Sequence, residues 1–174
     1  AYGLFRTDPS KSRHHGLTYC LIPLTGEGVT VRGVDRLDGD EGFAELFLED
    51  LFVPDENVLG DPTSGFGYLA EGLAEERLLS ACQSMAHAQT AFDLTLNYVK
   101  TRRAFSRPLG AFQNTRFVLA RRRAELDAAQ TWIDALALEQ NAGRLGAVTA
   151  ASAKLLSSEL ENRVIDDCLQ LHGG

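Results

Sequence analysis

Cysteine is scarce in this chain of 174 residues: Cys20, Cys82 and Cys168 are the only three. An odd number of widely spaced cysteines excludes a disulfide framework as the basis of the fold. Cys82 and Cys168 fall among apolar helical neighbours, so both are expected to be small buried hydrophobes in a reducing compartment, and a cytoplasmic location is expected. No apolar run approaches the length needed to span a bilayer, so no membrane partner is expected. The opening Ala1-Tyr2-Gly3-Leu4-Phe5-Arg6 has neither a basic stretch nor a long apolar core and does not read as a signal peptide. No cluster has metal-ligand spacing. His14 and His15 are adjacent in a polar loop, but no third ligand follows at a suitable distance. A Gly-x-Ser-x-Gly elbow, a P-loop and a Gly-x-Gly-x-x-Gly fingerprint are all absent, so hydrolase and dinucleotide-fold readings lack support. There is no internal repeat and no low-complexity segment.

What is present is a mixed, soluble composition, 44% hydrophobic and 24% charged, with a formal net charge of -7. The charge is unevenly spread. Residues 100–123 hold eight Lys or Arg and no Asp or Glu, so the other residues sum to -15. A cationic island in an acidic protein asks for an anion, a diphosphate or nucleotide tail first. The alternative is a solvated helix face followed by a loop. Overall acidity argues against general nucleic-acid affinity.

The hydrophobic pattern divides the chain into a β part and a helical part. Leu17–Pro23, Val29–Val34 and Ala44–Val53 read as strands, with Gly26 and Gly28 marking a turn and Pro54 ending the third. From about residue 66 the period becomes helical. Leu78, Cys82, Met85, Gln89, Phe92, Leu96 and Val99 lay one seam along a first helix. Phe112, Leu119, Leu126, Ile133 and Leu136 lay one along a second, and Val148, Leu155, Leu156, Leu160, Val164, Cys168 and Leu171 one along a third. Short connections make these antiparallel neighbours in a bundle, for which four helices is the commoner number. The chain is expected to be incomplete at both ends. It opens inside a strand without an initiating methionine, and Leu171-His172-Gly173-Gly174 reads as a helix stop leading onward. The expected fold class is segregated α+β: a partial antiparallel β domain, then an antiparallel helix bundle with three of four helices present.

Four segments, in order, resemble the acyl-CoA dehydrogenase family over essentially the whole chain. They are Phe47-Leu48-Glu49-Asp50-Leu51-Phe52-Val53-Pro54-Asp55-Glu56-Asn57-Val58-Leu59-Gly60; Gly65-Phe66 followed by Glu76-Arg77-Leu78; Tyr98-Val99-Lys100-Thr101-Arg102-Arg103-Ala104-Phe105 through Phe112-Gln113; and Ala153-Lys154 with Gln170-Leu171-His172-Gly173-Gly174. Each is weak alone, and four in order at natural spacing are strong. The resemblance implies that residues 1–60 are the second half of a middle β domain and residues 61–174 a truncated C-terminal helical bundle. It implies FAD between these domains and across a subunit interface, hence a homo-oligomer, dimer or tetramer.

The family's functional residues carry over as follows. Arg102, Phe105 and Gln113 match the turn that reaches the FAD of a neighbouring subunit. Planar guanidinium donors suit a diphosphate, and an amide both donates and accepts. Gln170, Gly173 and Gly174 match the segment where backbone approaches the adenosine-diphosphate half, a task suited to residues without a Cβ. Glu76 matches one of the family's two locations for the catalytic base, directly before an arginine; the other lies beyond residue 174. The implied reaction is α,β-dehydrogenation of an acyl-CoA thioester, with electrons passed to an electron-transferring flavoprotein. A carboxylate buried against substrate generally has its pKa raised toward neutrality, which suits proton abstraction. Glu75 lies about 100° round the helix, so both cannot face the flavin. Read without the family, Glu76 is a glutamate near a helix start, favourable to the dipole, or one paired with a cation. Arg77 matches an arginine near the acyl-CoA site. Tyr68, Leu69 and Leu73 are expected near the acyl pocket, where one side chain changes chain-length preference.

Arg121-Arg122-Arg123 departs from the family pattern. Arg122 is expected to pair with acidic groups of the β domain or a neighbouring subunit, or to pack through its stem. Three other readings stand beside the dehydrogenase: a non-catalytic flavin-holding subunit of a heteromeric member, an oxygen-using acyl-CoA oxidase, and a DNA-binding relative motivated by the basic island. The 174 residues alone are expected to be inactive, because much of the flavin cradle would lie outside them.

Overall fold

A computed structural model describes residues 1–173. The chain forms two compact units, Ala1–Glu71 and Gly72–Gly174. The first is β-rich. Strands β1 (Tyr2–Arg6), β2 (Leu17–Leu21) and β5 (Val58–Leu59) form an antiparallel sheet in the order β1-β2-β5. Strands β3 (Val29–Asp35) and β4 (Glu41–Leu48) form a separate antiparallel hairpin. The three-stranded sheet buries Thr18, Cys20 and Ile22, the alternate residues of one face, as a two-residue period requires. In the loop between β1 and β2, the Arg6 guanidinium donates to the carbonyls of Lys11, Arg13 and His15. His14 stacks on Phe66 with centroids 3.9 Å apart, and no metal-binding cluster occurs among the described residues.

The third strand differs from expectation. Pairing in the hairpin ends at Val29↔Leu48, so β4 starts at Glu41 and stops before residue 49. Asp50 has φ of 50°, which breaks extended backbone where the sequence pattern alone runs on to Val53.

The second unit holds the bundle. Helix α1 spans Gly65–Thr101 and begins in the first unit; α2 spans Gln113–Asn141 and α3 Ala147–His172. Cross-helix bonds give the directions. Gln140 reaches Glu75 and Arg123 reaches Gln89, so α2 runs antiparallel to α1. His87 meets Glu161 and Tyr98 meets His172, so α3 runs parallel to α1. The shared core includes Leu78, Met85, Phe92, Val99, Leu119, Leu126, Ile133, Leu160 and Val164.

The phase of two seams is corrected. On α1, Ala81 and Ala88 are fully buried while Cys82 is exposed. On α3, Ala150, Ala153 and Ser157 are fully buried, while Val148, Leu155 and Leu156 are exposed. Cys20 and Cys168 are buried, and burial raises both thiol pKa values. No helix among the described residues is long and apolar enough to cross a membrane.

Candidate functional site

Helix α1 ends at Thr101, and the chain enters a tight hairpin of β6 (Arg103–Ala104) and β7 (Arg107–Pro108). Its two-residue tip is Phe105-Ser106, with φ of 49° and 65°. Two positive φ values are what a type I′ hairpin turn requires, and Asn-Gly is its usual solution. Phe-Ser adopts it at a steric cost. The cost is accompanied by a second unfavourable feature: the Phe105 ring is 91% exposed. The hairpin thus holds an aromatic ring in solvent on a strained tip.

The rest of the turn is tightly held. Arg102 N–H donates to Tyr98 O at 2.8 Å, and Leu109 N–H donates to Arg102 O at 2.8 Å. Arg107 lies 3.9 Å over the Phe112 ring. At Gly110 a Cβ would come within 3.3 Å of Val99 O, so glycine lets the turn lie against the end of α1. Helix α2 then starts at Gln113 with no side-chain cap, which leaves its first N–H groups open at the positive end of its dipole. Gln113 is exposed there.

The basic island resolves into engaged and unengaged cations. Arg103 donates to Ser106 O, Arg107 covers Phe112, and Arg116 Nε donates to Gly110 O at 2.9 Å. Arg122 binds Glu125 and Asp167, both at 2.6 Å, and Arg123 binds Asp127 and Gln89. Arg122 thus pairs inside its own bundle, not with acidic groups of the β part. Burial pulls the Arg122 pKa down, and its two carboxylate bonds more than offset that. Among the described residues, the side chains of Lys100, Arg102 and Arg121 have no hydrogen-bond or ion-pair partner. Arg102 is the one of these that belongs to the turn.

The third helix brings its C-terminus to the same end of the bundle. Gly173 caps α3 with φ of 98°, the left-handed conformation that glycine adopts freely, and its N–H donates to Gln170 O at 3.2 Å. Nothing lies within 4 Å of where its Cβ would be. Gln170 is exposed. Gly174 lies outside the described residues. Thr95, Tyr98 and His172 join this end as well, through a ring stack and two hydrogen bonds. They are absent from the sequence-derived set because their link spans 74 to 77 residues and no local pattern announces it.

Glu76 sits about three turns into α1, since the helix starts at Gly65. The macrodipole acts over the first turn, so it gives no reason for a glutamate here. Among the described residues no cation or hydrogen-bond partner engages the Glu76 side chain; beyond the helix ladder, its backbone carbonyl accepts from Ser80 Oγ. Its side chain is exposed in the chain by itself. The neighbouring Glu75 is engaged, accepting from Gln140 Nε2 on α2 at 3.5 Å. Leu73 neighbours Glu76 at i+3 and Arg77 at i+4 along α1, while Glu76 and Arg77 themselves point about 100° apart. Leu73 and Arg77 are half-buried. Tyr68 belongs to the first unit, where its hydroxyl accepts the Asp61 N–H at 3.1 Å and its ring lies against Gly60.

The family model described as acyl-CoA dehydrogenase, C-terminal domain, matches residues 63–174. The chain belongs to the acyl-CoA dehydrogenase family. It is 37% identical over 167 residues to the mitochondrial long-chain specific acyl-CoA dehydrogenase of Sus scrofa, covering 95% of this chain and 39% of that protein. It is 32% identical over 171 residues to a subunit of the caffeyl-CoA reductase-Etf complex of Acetobacterium woodii, covering 97% of this chain and 45% of that one. The crystal structure of an acyl-CoA dehydrogenase from Geobacillus kaustophilus superposes with a TM-score of 0.92 at 34% identity, covering 98% of this chain and 46% of that chain. The 174 residues therefore span less than half the length of these relatives.

Proposed function

We propose that this chain is part of an FAD-dependent enzyme that oxidises an acyl-CoA thioester to its trans-2-enoyl-CoA, with Glu76 as the base. The observation that carries the reading is the division of labour between neighbouring glutamates. Glu75 is bonded to Gln140, while Glu76 has no side-chain partner among the described residues and lies one turn from Leu73. An unpaired carboxylate one turn from an apolar side chain is free to abstract a proton from an acidified carbon.

Glu76 removes the α proton onto a carboxylate oxygen. Arg77 steadies the helix segment that bears the base and attracts the anionic ligand. Leu73, with Tyr68, contributes to the acyl-binding surface. Bound FAD, held by Arg102, Phe105 and Gln113, would supply the acceptor for the β hydrogen as hydride. The residues present suit that cofactor. Arg102 has an unengaged planar cation for a diphosphate, Phe105 an exposed ring, and Gln113 an amide at an uncapped helix start. Gln170 and Gly173 offer backbone that adenosine diphosphate can approach. We infer a homo-oligomer in which the turn serves a neighbouring subunit, and electron-transferring flavoprotein as acceptor. The relative from a reductase-Etf complex supports that choice of acceptor.

The test is Glu76→Gln in the full-length protein. FAD stays bound, and flavin reduction by acyl-CoA slows by roughly 10²–10⁴-fold, the usual contribution of a positioned base. Flavin reduction near the normal rate would mean the base is elsewhere. Comparing dye reduction with peroxide release in the same assay separates a dehydrogenase from an oxidase.

A further inference from the structure

Two segments assigned above to FAD are fastened to each other through one pair of side chains. Tyr98 lies one turn before Arg102 and accepts its N–H, which fixes where the cationic turn leaves α1. The Tyr98 ring stacks on the His172 imidazole, with centroids 4.1 Å apart and planes 13° from parallel. The Tyr98 hydroxyl donates to His172 O at 3.4 Å. On its other side, His172 Nε2 lies 3.3 Å from Thr95 Oγ1. The Thr95 hydroxyl also bonds Ala91 O at 2.8 Å. Thr95 is 1% exposed, which anchors this contact in the packed core. His172 directly precedes Gly173, the left-handed cap of α3.

We propose that His172 is a positioning residue, a latch that holds the Gly173 backbone and the Arg102 turn in the mutual arrangement FAD requires. It touches no reacting atom. Helix ends fray because their last carbonyls lack partners, and a frayed α3 terminus would have to be ordered when the cofactor binds. Ordering it beforehand removes that cost from the binding equilibrium. Tyr98 couples the two segments because its backbone serves one and its side chain the other. The inference rests on the reading of Arg102 and Gly173 as FAD-facing.

The test uses full-length apoprotein titrated with FAD, read by flavin fluorescence, together with amide hydrogen exchange in the FAD-free protein. His172→Ala weakens FAD binding about tenfold, or about 1.4 kcal/mol. It also speeds exchange at residues 170–173 without changing exchange around Leu126. His172→Phe keeps the stack and recovers most of the affinity. If His172→Ala binds FAD within about twofold of wild type while Arg102→Ala binds weakly, the latch is wrong and the FAD assignment stands. If neither variant weakens binding, the FAD assignment fails and takes the latch with it. Should His172→Ala not fold, Tyr98→Leu removes the same stack from the other side, and unchanged FAD affinity there overturns the proposal.

Discussion

Arg122 gives the most direct measure of how the bundle is held. Its guanidinium bridges α2 and α3, with Nε on Asp167 of α3 and a terminal nitrogen on Glu125 of its own helix, both at 2.6 Å. The side chain is 13% exposed, whereas the two carboxylates are 37% and 30% exposed. Exposed pairs contribute about 0–1 kcal/mol. Breaking a buried pair from one side costs about 3–5 kcal/mol. Here the cation is nearly dry and the anions are partly wet, so removing the cation leaves carboxylates that can rehydrate. Arg122→Met keeps the apolar stem and deletes the charge, and should cost about 2 kcal/mol, between those limits. Asp167→Asn keeps an acceptor, and the double-mutant cycle should give a coupling of about 1–1.5 kcal/mol. The assay is urea unfolding of the full-length protein followed by far-ultraviolet circular dichroism, with m-values compared across the cycle. Raising salt to 1 M should shrink the coupling only partly, because buried pairs are screened less than exposed ones. Unfolding of Arg122→Met within about 0.5 kcal/mol of wild type, with coupling below about 0.3 kcal/mol, would refute the reasoning.

Cys20 and Cys168 are buried and their thiol pKa values are raised by that burial, so both should resist alkylation at neutral pH in the native protein and react on denaturation. Peptide mapping after brief iodoacetamide treatment checks this, and native labelling of Cys168 as fast as of a free thiol would contradict it. Glu139 titrates below its ordinary value because Arg144 hydrogen-bonds its carboxylate, at 2.9 Å through both oxygens. A depressed folded value means the pair stabilises the fold above the unfolded carboxylate range, and the benefit is lost as pH falls through the folded value. Arg144→Gln should therefore lower the melting temperature slightly near neutrality and leave it unchanged in strong acid. A deficit that persists at low pH would show that Arg144 acts through packing.

Helix existence and direction are legible in the sequence, while helix phase is legible only in part. The alternation of steps of four and three on α1 correctly carries Leu78, Met85, Phe92 and Val99 into the core. Between them, the spacing selects Cys82 and Gln89, yet Ala81 and Ala88 are the fully buried positions, while Leu96 does pack against the core. On α3 hydropathy favours Leu155 and Leu156 over Ala153 and Ser157, and the structure buries the smaller pair. Transfer free energy ranks a side chain by its apolar area. Positions where helices abut are chosen by volume as well, because interiors are close-packed. A pattern that weighs area alone will misplace a small-residue seam by one position.

The candidate site shows the same division between what neighbours in sequence decide and what neighbours in space decide. Spacing alone says that Glu75 and Glu76 point about 100° apart. It does not say which is available, and the answer comes from Gln140, 65 residues further along, whose amide engages Glu75. The basic island behaves likewise. Eight cations within residues 100–123 look like one electrostatic feature. In the fold, Arg122 and Arg123 lie inside carboxylate networks, Arg103 and Arg116 hold backbone carbonyls, and Arg107 covers a ring. Two of the eight cations are therefore paired with carboxylates, three keep their charge but are held by carbonyls or a ring, and Lys100 and Arg102 are the cations near the turn whose side chains are unengaged among the described residues. On the proposed reading a diphosphate needs only a few unengaged donors at one place, whereas nucleic-acid binding grows with the number of phosphates neutralised.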